Sequence, residues 1–405
     1  MSMGAAREPA LDVFRGATVA LMILVNNPGS WNALYPPLAH AAWHGVTPTD
    51  LVFPFFLFAV GHALALVMPP LLAGPPRVFW VRVARRTALI FALGLLLNAA
   101  PFVRWDAAGE LVLRDWSQLR IMGVLQRIAL CFGAAAAVVW WAERRTARPD
   151  RAVLGVVAAL LLGYQALCVA LGAPGDPYSL QGWFGTAWDK ALLGESHLYR
   201  GEGRPFDPEG LASTPPAVAQ VLLGWWAGRR LAQGAVDARA VARLFTAAVV
   251  LGVLAYVWQL GMPLNKKIWT SSYVLLTSAL AMAALAALLH LLHHGARPDG
   301  RPARATWGWV ALCTWFGRNP LGLFVLAGLV PRFLGLLRWP AGTAADGSPR
   351  WTSPLPWVHD HVATPLAALA SADPRLASLA FAVLHLAAYA ALAAWLHRRR
   401  LYWRI

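Results

Sequence analysis

The side chains of this chain that could do chemistry are concentrated in a short polar stretch between two apolar segments, residues 26–50. His40, His44 and Asp50 stand out there, in a chain that is 58% hydrophobic. The unperturbed pKa of histidine suits proton transfer near neutral pH, so His40 is a candidate general base. Asp50 could orient the imidazole, but a capping role at the start of the next helix explains this acid equally well.

His40 and His44 are four residues apart, which on a helix would allow zinc binding. No H-E-x-x-H pattern accompanies them, and Pro36-Pro37 disfavours a long helix before His40. The three cysteines lie inside apolar runs without the spacing of a metal or redox pair. We therefore predict no metal. His62 is interpreted as a packed, hydrogen-bonded histidine.

The composition predicts an all-α polytopic membrane protein. Only 13% of the residues are charged, whereas soluble domains carry about 25%. Several apolar runs exceed the length of about 18 residues that indicates a membrane span. We predict one transmembrane domain over residues 1–405, with about ten spans whose edges are uncertain by a few residues. The predicted spans are roughly 11–28, 49–69, 83–101, 119–142, 152–172, 214–232, 241–260, 270–294, 306–337 and 376–397.

The net charge of +16 is explained by topology and not by nucleic-acid binding. Arginines cluster in every second connection, which the positive-inside rule predicts for cytoplasmic loops, and both termini are then cytoplasmic. The longest predicted segment should break or kink at Pro320 and Pro331. The arginine clusters are Arg82, Arg85 and Arg86; Arg144, Arg145, Arg148 and Arg151; Arg229 and Arg230; Arg297, Arg301 and Arg304; and Arg398, Arg399 and Arg400. The predicted outward loops are about 29–48, 102–118, 173–213, 261–269 and 338–375.

Several polar residues fall inside predicted spans, where a charge costs at least about 2.5–3.5 kcal/mol and usually marks function or a buried pair. Arg15, Arg127, Arg318 and Asn319 are such residues. Arg15 could instead be a snorkelling arginine at the membrane surface. Asn319 precedes a proline that interrupts its span, and a broken helix can line a cavity.

Lys266 and Lys267 stand at a predicted membrane edge together with Trp269 and Tyr273. Interfacial anchoring accounts for such a cluster. Together with the buried arginines, the two lysines could also contact a long polyanionic ligand.

The N-terminal segment could be a cleaved signal peptide, since Ala39-His40-Ala41 loosely resembles a cleavage site. Cleavage would discard His40. The apolar run, however, ends well before that site, at Asn26. We therefore predict that the segment is retained as the first span.

Seven ordered blocks of the chain resemble the heparan-α-glucosaminide N-acetyltransferase family of transmembrane acyltransferases. They cover nearly the whole predicted bundle, which makes them more specific than any single motif. The blocks are LDVFRG (11–16), HAAWHGVTPTDLVFPFFLFAVG (40–61), LRIMGVLQRIAL (119–130), LLGESHLYR (192–200), FDPEGLASTPPAVAQVLLGWWAG (206–228), NKKIWTSSYVLLT (265–277) and GRNPL (317–321).

The resemblance implies transfer of an acetyl group from cytoplasmic acetyl-CoA to the amine of a glucosamine-type sugar on the opposite side of a bacterial inner membrane. It also implies a possible homodimer. The catalytic histidine of the family matches His40, its loop asparagine matches Asn26, and its acid matches Asp50. His44 stands where the animal enzyme has asparagine, so it does not inherit the catalytic role. The animal enzyme has an additional luminal domain, and a chain without that domain is expected to act on a smaller sugar or a glycan under construction.

For this chemistry His40 would deprotonate the acceptor amine, or would carry the acetyl group transiently. Asn26, or a backbone N–H at the Pro28-Gly29 turn, would donate to the developing oxyanion. Arg15, Arg127 and Arg318, with Asn319, are candidates for binding CoA. O-acetylation of a periplasmic or lipid-linked glycan and transport of an anionic solute without acyl transfer are the alternatives.

Overall fold

The computed structural model describes residues 8–293, 308–343, 347 and 349–403. Arg297, Arg301 and Arg304, which belong to the predicted topology pattern, lie outside the described residues. The helices are α1 (Pro9–Asn26), α2 (Val52–Leu72), α3 (Pro76–Ala99), α4 (Val124–Arg145), α5 (Pro149–Leu171), α6 (Gly185–Leu193), α7 (Thr214–Ala232), α8 (Ala238–Trp258), α9 (Ser271–His293), α10 (Gly308–Arg318), α11 (Pro320–Leu334), α12 (Pro354–Val358), α13 (Thr364–Ala368) and α14 (Pro374–Arg398). Two antiparallel hairpins complete the described chain, β1 (Val103–Trp105) with β2 (Leu111–Leu113) and β3 (Trp339–Thr343) with β4 (Pro349–Thr352).

The apolar helices confirm a polytopic helical membrane protein. Within the described ranges, seven helices are long and apolar enough to cross a membrane, and the bent pair α10–α11 would bring that number to eight. The seven are α1, α2 with the turn before it, α4, α5, α8, α9 and α14. Each of the ten predicted segments falls on a helix or a helix pair. The number of ten spans and the cytoplasmic termini stay predictions.

The helices α3 and α7 do not reach the apolar character of the seven. α3 already begins at Pro76, seven residues before the predicted span 83–101, so Arg82, Arg85 and Arg86 all lie inside the helix and the assignment of this cluster to a connection is wrong. Proline suits the first helical position and arginine is a good helix former, which explains the early start. Most residues of α7 are buried between other helices, including Gln220. A helix that is surrounded by protein does not need a lipid-facing apolar surface.

The predicted break of the longest apolar segment is confirmed at Pro320. α10 ends at Arg318, α11 starts at Pro320, and their axes differ by 82°. Pro331 lies within α11 and does not end it. The first proline ends its helix because the residue before a proline is disfavoured in the helical conformation.

The five predicted outward loops gather at one end of the bundle. The first loop bonds to the loop before α9 through Gly45 N–H, which donates to the carbonyl of Leu264 at 2.8 Å. Trp43 Nε1 donates to the carbonyl of Tyr178, in the loop before α7, at 2.9 Å. Gly29 N–H donates to the carbonyl of Ser378 on α14, directly after the last of these loops, at 3.2 Å. We call this the His40 end of the bundle.

Small residues allow the central helices to touch backbone to backbone. A Cβ on Gly61 of α2 would lie 1.8 Å from the carbonyl oxygen of Val221 on α7, and one on Gly224 would lie 2.1 Å from the carbonyl of Phe58. Such close approach is typical of helix packing in membranes, where dispersion contacts and not hydrophobic burial hold helices together. This contact fixes the position of α2 and therefore that of the loop that precedes it.

We predict that Gly61→Ala lowers the stability of the bundle, because the added methyl group overlaps α7 backbone that cannot rotate away. Overpacking of this kind costs about 1–3 kcal/mol. Thermal unfolding in detergent measures the effect. Gly155→Ala in α5, where nothing lies within 4 Å of the added Cβ, is the matched control and should be neutral or slightly stabilising. Equal melting temperatures for the two variants would contradict the packing argument.

Candidate active site

His40 and Asp50 form a hydrogen-bonded pair at the His40 end of the bundle. Nδ1 of His40 lies 2.7 Å from Oδ1 of Asp50. An ionised carboxylate can only accept, so Nδ1 carries the proton and Nε2 keeps its lone pair. The imidazole is 42% exposed while the Asp50 side chain is 1% exposed. A buried acid therefore orients a histidine that solvent and an acceptor can reach.

Asp50 also caps the start of α2, so both roles that the sequence left open are present. Its Oδ2 accepts hydrogen bonds from the backbone N–H of Thr47 at 3.0 Å and from that of Ala41 at 3.1 Å. The hydroxyl of Thr47 lies 3.1 Å from the same oxygen. These hydrogen bonds hold the Asp50 carboxylate in place within its own loop, independently of its contact with His40.

Lys266 is the third ionisable group of this site. Its Nζ lies 3.0 Å from Nδ1 and 3.4 Å from Nε2 of His40, and 3.5 Å from Oδ1 of Asp50. Burial lowers the pKa of the Lys266 ammonium, and the carboxylates of Asp50 and Glu209 offset part of that effect. One carboxylate thus faces both an imidazole and an amine.

The neighbours of Lys266 are not interfacial anchors, so that interpretation is wrong for this cluster. Trp269 and Tyr273 are 1% and 0% exposed, whereas an anchor places its ring among lipid headgroups. The Tyr273 hydroxyl donates to the backbone carbonyl of Asp50 at 2.6 Å. Lys267 Nζ lies 2.7 Å from a carboxylate oxygen of Glu202. This loop holds the site together from the α9 side.

Arg120 joins the loop before α4 to the loop before α7. Its Nε and Nη2 donate to the two carboxylate oxygens of Asp207 at 2.9 and 2.6 Å, and Nη2 also donates to Glu209 at 2.5 Å. Burial alone would lower the pKa of Arg120, but these two carboxylates outweigh it and raise that pKa. Planar guanidinium suits such two-pronged contacts. The pairing fixes Glu209 in the vicinity of Lys266.

Arg127 lies in the first turn of α4, because α4 begins only at Val124. It is 0% exposed, and its Nη2 donates to the carbonyl of Gly210 at 2.7 Å and lies 2.5 Å from the Ser213 hydroxyl. Its guanidinium stands 5.4 Å from the centre of the Trp269 ring. In the described part of the chain, its Nε and Nη1 have no hydrogen-bond partner. The side chain therefore holds the loop before α7, at the same end as His40.

Asn26 is the last residue of α1 and lines a cavity of about 340 Å³. Asn98, Arg120 and Gln126 contribute polar groups to the same cavity. Among the described residues, no hydrogen bond joins Asn26 to His40. The cavity shares Arg120 with the charged pairs beside Lys266, so Asn26 borders the same region of the bundle.

The predicted backbone donor at the Pro28-Gly29 turn is not available, so that alternative is wrong. Proline has no N–H. The N–H of Gly29 already donates to the carbonyl of Ser378 at 3.2 Å, and the N–H of Ser30 donates to the Ser378 hydroxyl at 3.0 Å. Both donors tie the loop to α14.

The other three predicted binding residues lie together at the opposite end of the bundle. Arg15 forms a 2.5 Å ion pair with Asp12 and faces the carbonyl of Gly317, directly before Arg318, at 3.3 Å. Asn319 donates to one backbone carbonyl and accepts one backbone N–H of segment 401–403, at 2.7 and 2.8 Å. Both the nitrogen and the oxygen of the Asn319 carboxamide are thus bonded to the protein's own backbone.

The structure brings His40 and Asp50 into contact and places Asn26 and Arg127 at their end of the bundle. Lys266 and Arg120 were not predicted from the sequence as neighbours of the site. Both lie in blocks that carry the family resemblance, NKKIWTSSYVLLT and LRIMGVLQRIAL, and that was the available signal. The described residues contain no group of three or more potential metal ligands.

Comparison with known proteins finds two curated relatives, and no protein-family profile matches the chain. The chain is 28% identical over 334 residues to heparan-alpha-glucosaminide N-acetyltransferase of Homo sapiens, covering 70% of this chain and 48% of that protein. It is 26% identical over 328 residues to the Mus musculus protein of the same name, covering 69% and 48%. The chain spans about half the length of the curated relatives it matches.

A buried acid beside Arg127 gives the site a pH-dependent stability. Asp189 of α6 is 1% exposed, and its Oδ1 accepts the N–H of Ala212 at 3.0 Å. Burial raises its pKa from 3.8 to about 6, against the opposing hydrogen bond from Ala212 and the charge of Arg127. The folded protein therefore holds this proton more tightly than the unfolded chain.

We predict that Asp189→Asn removes a loss of stability that the wild type shows between pH 4 and pH 6. In that window the unfolded chain has released the proton and the folded protein has not, so the unfolding free energy falls as the pH rises, by up to about 3 kcal/mol. The carboxamide keeps the acceptor for Ala212 and carries no charge. Thermal unfolding across this pH range measures the difference, with Glu195→Gln at an exposed acid as the control. Parallel pH curves for wild type and Asp189→Asn would refute the assignment.

Proposed function

Because this chain belongs to the heparan-alpha-glucosaminide N-acetyltransferase family, we propose that it is an acetyltransferase embedded in a membrane. The proposed donor is acetyl-CoA, supplied from the cytoplasmic side, and the proposed acceptor is the amine of a glucosamine-type sugar on the other side. The observation that carries the proposal is the pair formed by His40 and Asp50, in which a buried carboxylate orients an accessible imidazole.

His40 acts as the general base in the proposed reaction. A sugar amine attacks a thioester only in its neutral form, and Nε2 of His40 takes the proton that the nitrogen loses as it bonds to the thioester carbon. Asp50 accepts the hydrogen bond from Nδ1–H and stabilises the imidazolium that forms. The C–S bond then breaks, and the imidazolium gives its proton to the leaving thiolate.

Lys266 balances the charge of this pair. Its ammonium lies close to Asp50 and favours the ionised carboxylate when His40 is neutral. The same ammonium repels an acceptor amine that is still protonated, because charges a few Å apart interact by about 4 kcal/mol at an effective dielectric constant of 20. The site therefore favours the neutral amine, which is the nucleophilic form.

Asn26 is the proposed donor to the developing oxyanion, since the backbone groups of the neighbouring turn are already bonded to Ser378. Its amide lines the polar cavity of about 340 Å³ next to the site. An acyl group that arrives through this cavity would meet the acceptor near His40. A preorganised donor of this kind contributes about 2.7–4 kcal/mol in other acyl-transfer enzymes.

The direct test is acetyl transfer by purified protein in nanodiscs, with isotopically labelled acetyl-CoA and glucosamine. We predict that His40→Ala lowers the rate by about 10²–10⁴-fold, the contribution of a positioned general base. His44→Ala is the matched control, because His44 lies in the same loop but bonds to Asn265 at 3.3 Å and not to Asp50. Unchanged activity of folded His40→Ala would remove His40 from the mechanism. Alkali-labile product from hydroxyl acceptors alone would reassign the enzyme to O-acetylation.

We predict that Asp50→Asn also lowers kcat strongly, by about 10²–10⁴-fold. A carboxamide can donate its N–H to His40 Nδ1, which would move the imidazole proton to Nε2 and abolish its basic lone pair. The loss should fall on kcat more than on KM, because the side chain of Asp50 is buried beneath His40. Size-exclusion chromatography and melting temperature separate this effect from loss of the cap. An equal rise in KM with unchanged kcat would contradict the tautomer argument.

A further inference from the structure

A second cavity lies at the end of the bundle opposite to His40, between α2, α3 and α4. Its volume is about 610 Å³, within the range of about 300–1,000 Å³ that is usual for small-ligand sites. Apolar side chains of α2 from Leu64 to Leu71 form one wall, and Phe132 of α4 contributes an aromatic ring. The opposite wall carries three arginines of α3, which are Arg82, Arg85 and Arg86.

The three arginines share one face of α3 because residues three and four positions apart on a helix are neighbours. Within residues 8–293, 308–343, 347 and 349–403, Arg82, Arg85 and Arg86 form no ion pair with a carboxylate, and no acid lines the cavity. The guanidinium of Arg86 stands 4.9 Å from the centre of the Phe132 ring. The charge of Arg15 adds to the field at Arg86. Like charges gathered beside an apolar wall repel one another and favour a bound anion.

Neighbouring arginines near the same end are compensated by the protein itself. Arg229 pairs with Glu143 and, at 2.9 Å, with Asp150. Arg144 donates to the backbone carbonyls of Leu72 and Gly74 at 2.9 and 3.1 Å. Positive charge on this side of the bundle therefore does not by itself explain why the α3 arginines have no acidic partner in the described part of the chain.

We propose that this cavity is a phosphate-binding site whose ligand places its phosphates against Arg82, Arg85 and Arg86 and its less polar part against α2. Guanidinium groups bind phosphate oxygens in pairs, which suits a ligand with more than one phosphate or a doubly charged one. Two sources have this chemistry: the nucleotide end of the acyl-CoA donor and the headgroup of an anionic phospholipid. The first source rests on the proposed function, and the second does not.

The position of the cavity agrees with a donor that crosses the bundle. The wall residues Leu64 to Leu71 follow Asp50 along α2 at a distance of about 20–30 Å, from the rise of 1.5 Å per residue. If the nucleotide of the donor is bound at this end, its pantetheine arm would extend through the interior of the bundle. The thioester at the end of that arm would then reach His40. Arg127 and Asn319, which the sequence also suggested for this role, are bonded to the protein's own loops and C-terminal segment.

The test measures binding without turnover, so that it does not depend on acetyl transfer. CoA is titrated by calorimetry against protein with His40→Ala in neutral nanodiscs, and retention of phosphatidylglycerol is measured by native mass spectrometry. The variant combines Arg82→Gln, Arg85→Gln and Arg86→Gln. Arg243→Gln, at an exposed arginine that lines another cavity, is the matched control. If the triple variant does not fold, Arg85→Gln alone replaces it.

We expect the triple variant to bind CoA at least about 10-fold more weakly, since the loss of even one charge-assisted hydrogen bond weakens binding by about that factor. Loss of CoA binding with unchanged lipid retention identifies the nucleotide source. Loss of phosphatidylglycerol with unchanged CoA binding identifies the lipid source. If both ligands bind the triple variant as they bind the Arg243→Gln control, the phosphate site is overturned, whatever the result of the acetyl-transfer assay. Failure of wild type to bind CoA, with lipid binding that depends on the arginines, would instead remove the proposed donor.

Discussion

The carboxylate of Asp50 is the interaction on which the architecture of the His40 end depends. Its two oxygens accept the Nδ1 proton of His40 and the N–H groups of Thr47 and Ala41, while its backbone carbonyl accepts the hydroxyl of Tyr273. A side chain that is 1% exposed can remain ionised only with this many donors around it, since an unpaired buried charge is expensive. The same donors join the first loop, the start of α2 and α9 into one unit.

The helices supply rigidity where this unit needs it. α2 carries Asp50 at its start and is held against α7 by direct backbone contact at Gly61 and Gly224. A helix fixed in this way cannot rotate without moving its first turn. Helix packing in the middle of the bundle and hydrogen bonding at its end therefore both fix the position of Asp50. Because Asp50 is bonded to His40, both also fix the orientation of the imidazole.

The helices and the first loop could be predicted from the sequence because the relevant contacts are local. Apolar runs define the helices, a proline marks the break at Pro320, and His40 lies only ten positions before Asp50. Lys266 and Arg120 could not be placed, because their partners are far away in the chain and nothing in a single sequence reports tertiary pairing. The start of α3 was predicted too late, because Arg82 was assigned to a connection although arginine favours helix.

The two ends of the bundle treat positive charge differently, and this difference has a functional meaning. At the His40 end the two cations nearest the site have acidic counterparts: Arg120 has Asp207 and Glu209, and Lys266 has Asp50. Compensated charges give fixed geometry and little net attraction for an anion, which suits a site that must position a neutral amine. At the other end, among the described residues, the arginines of α3 form no ion pair with an acid, so their field is available to a ligand. The proposed reaction, in which an acyl group moves from a phosphorylated carrier to a sugar amine, would use this asymmetry, because its two substrates differ most in charge.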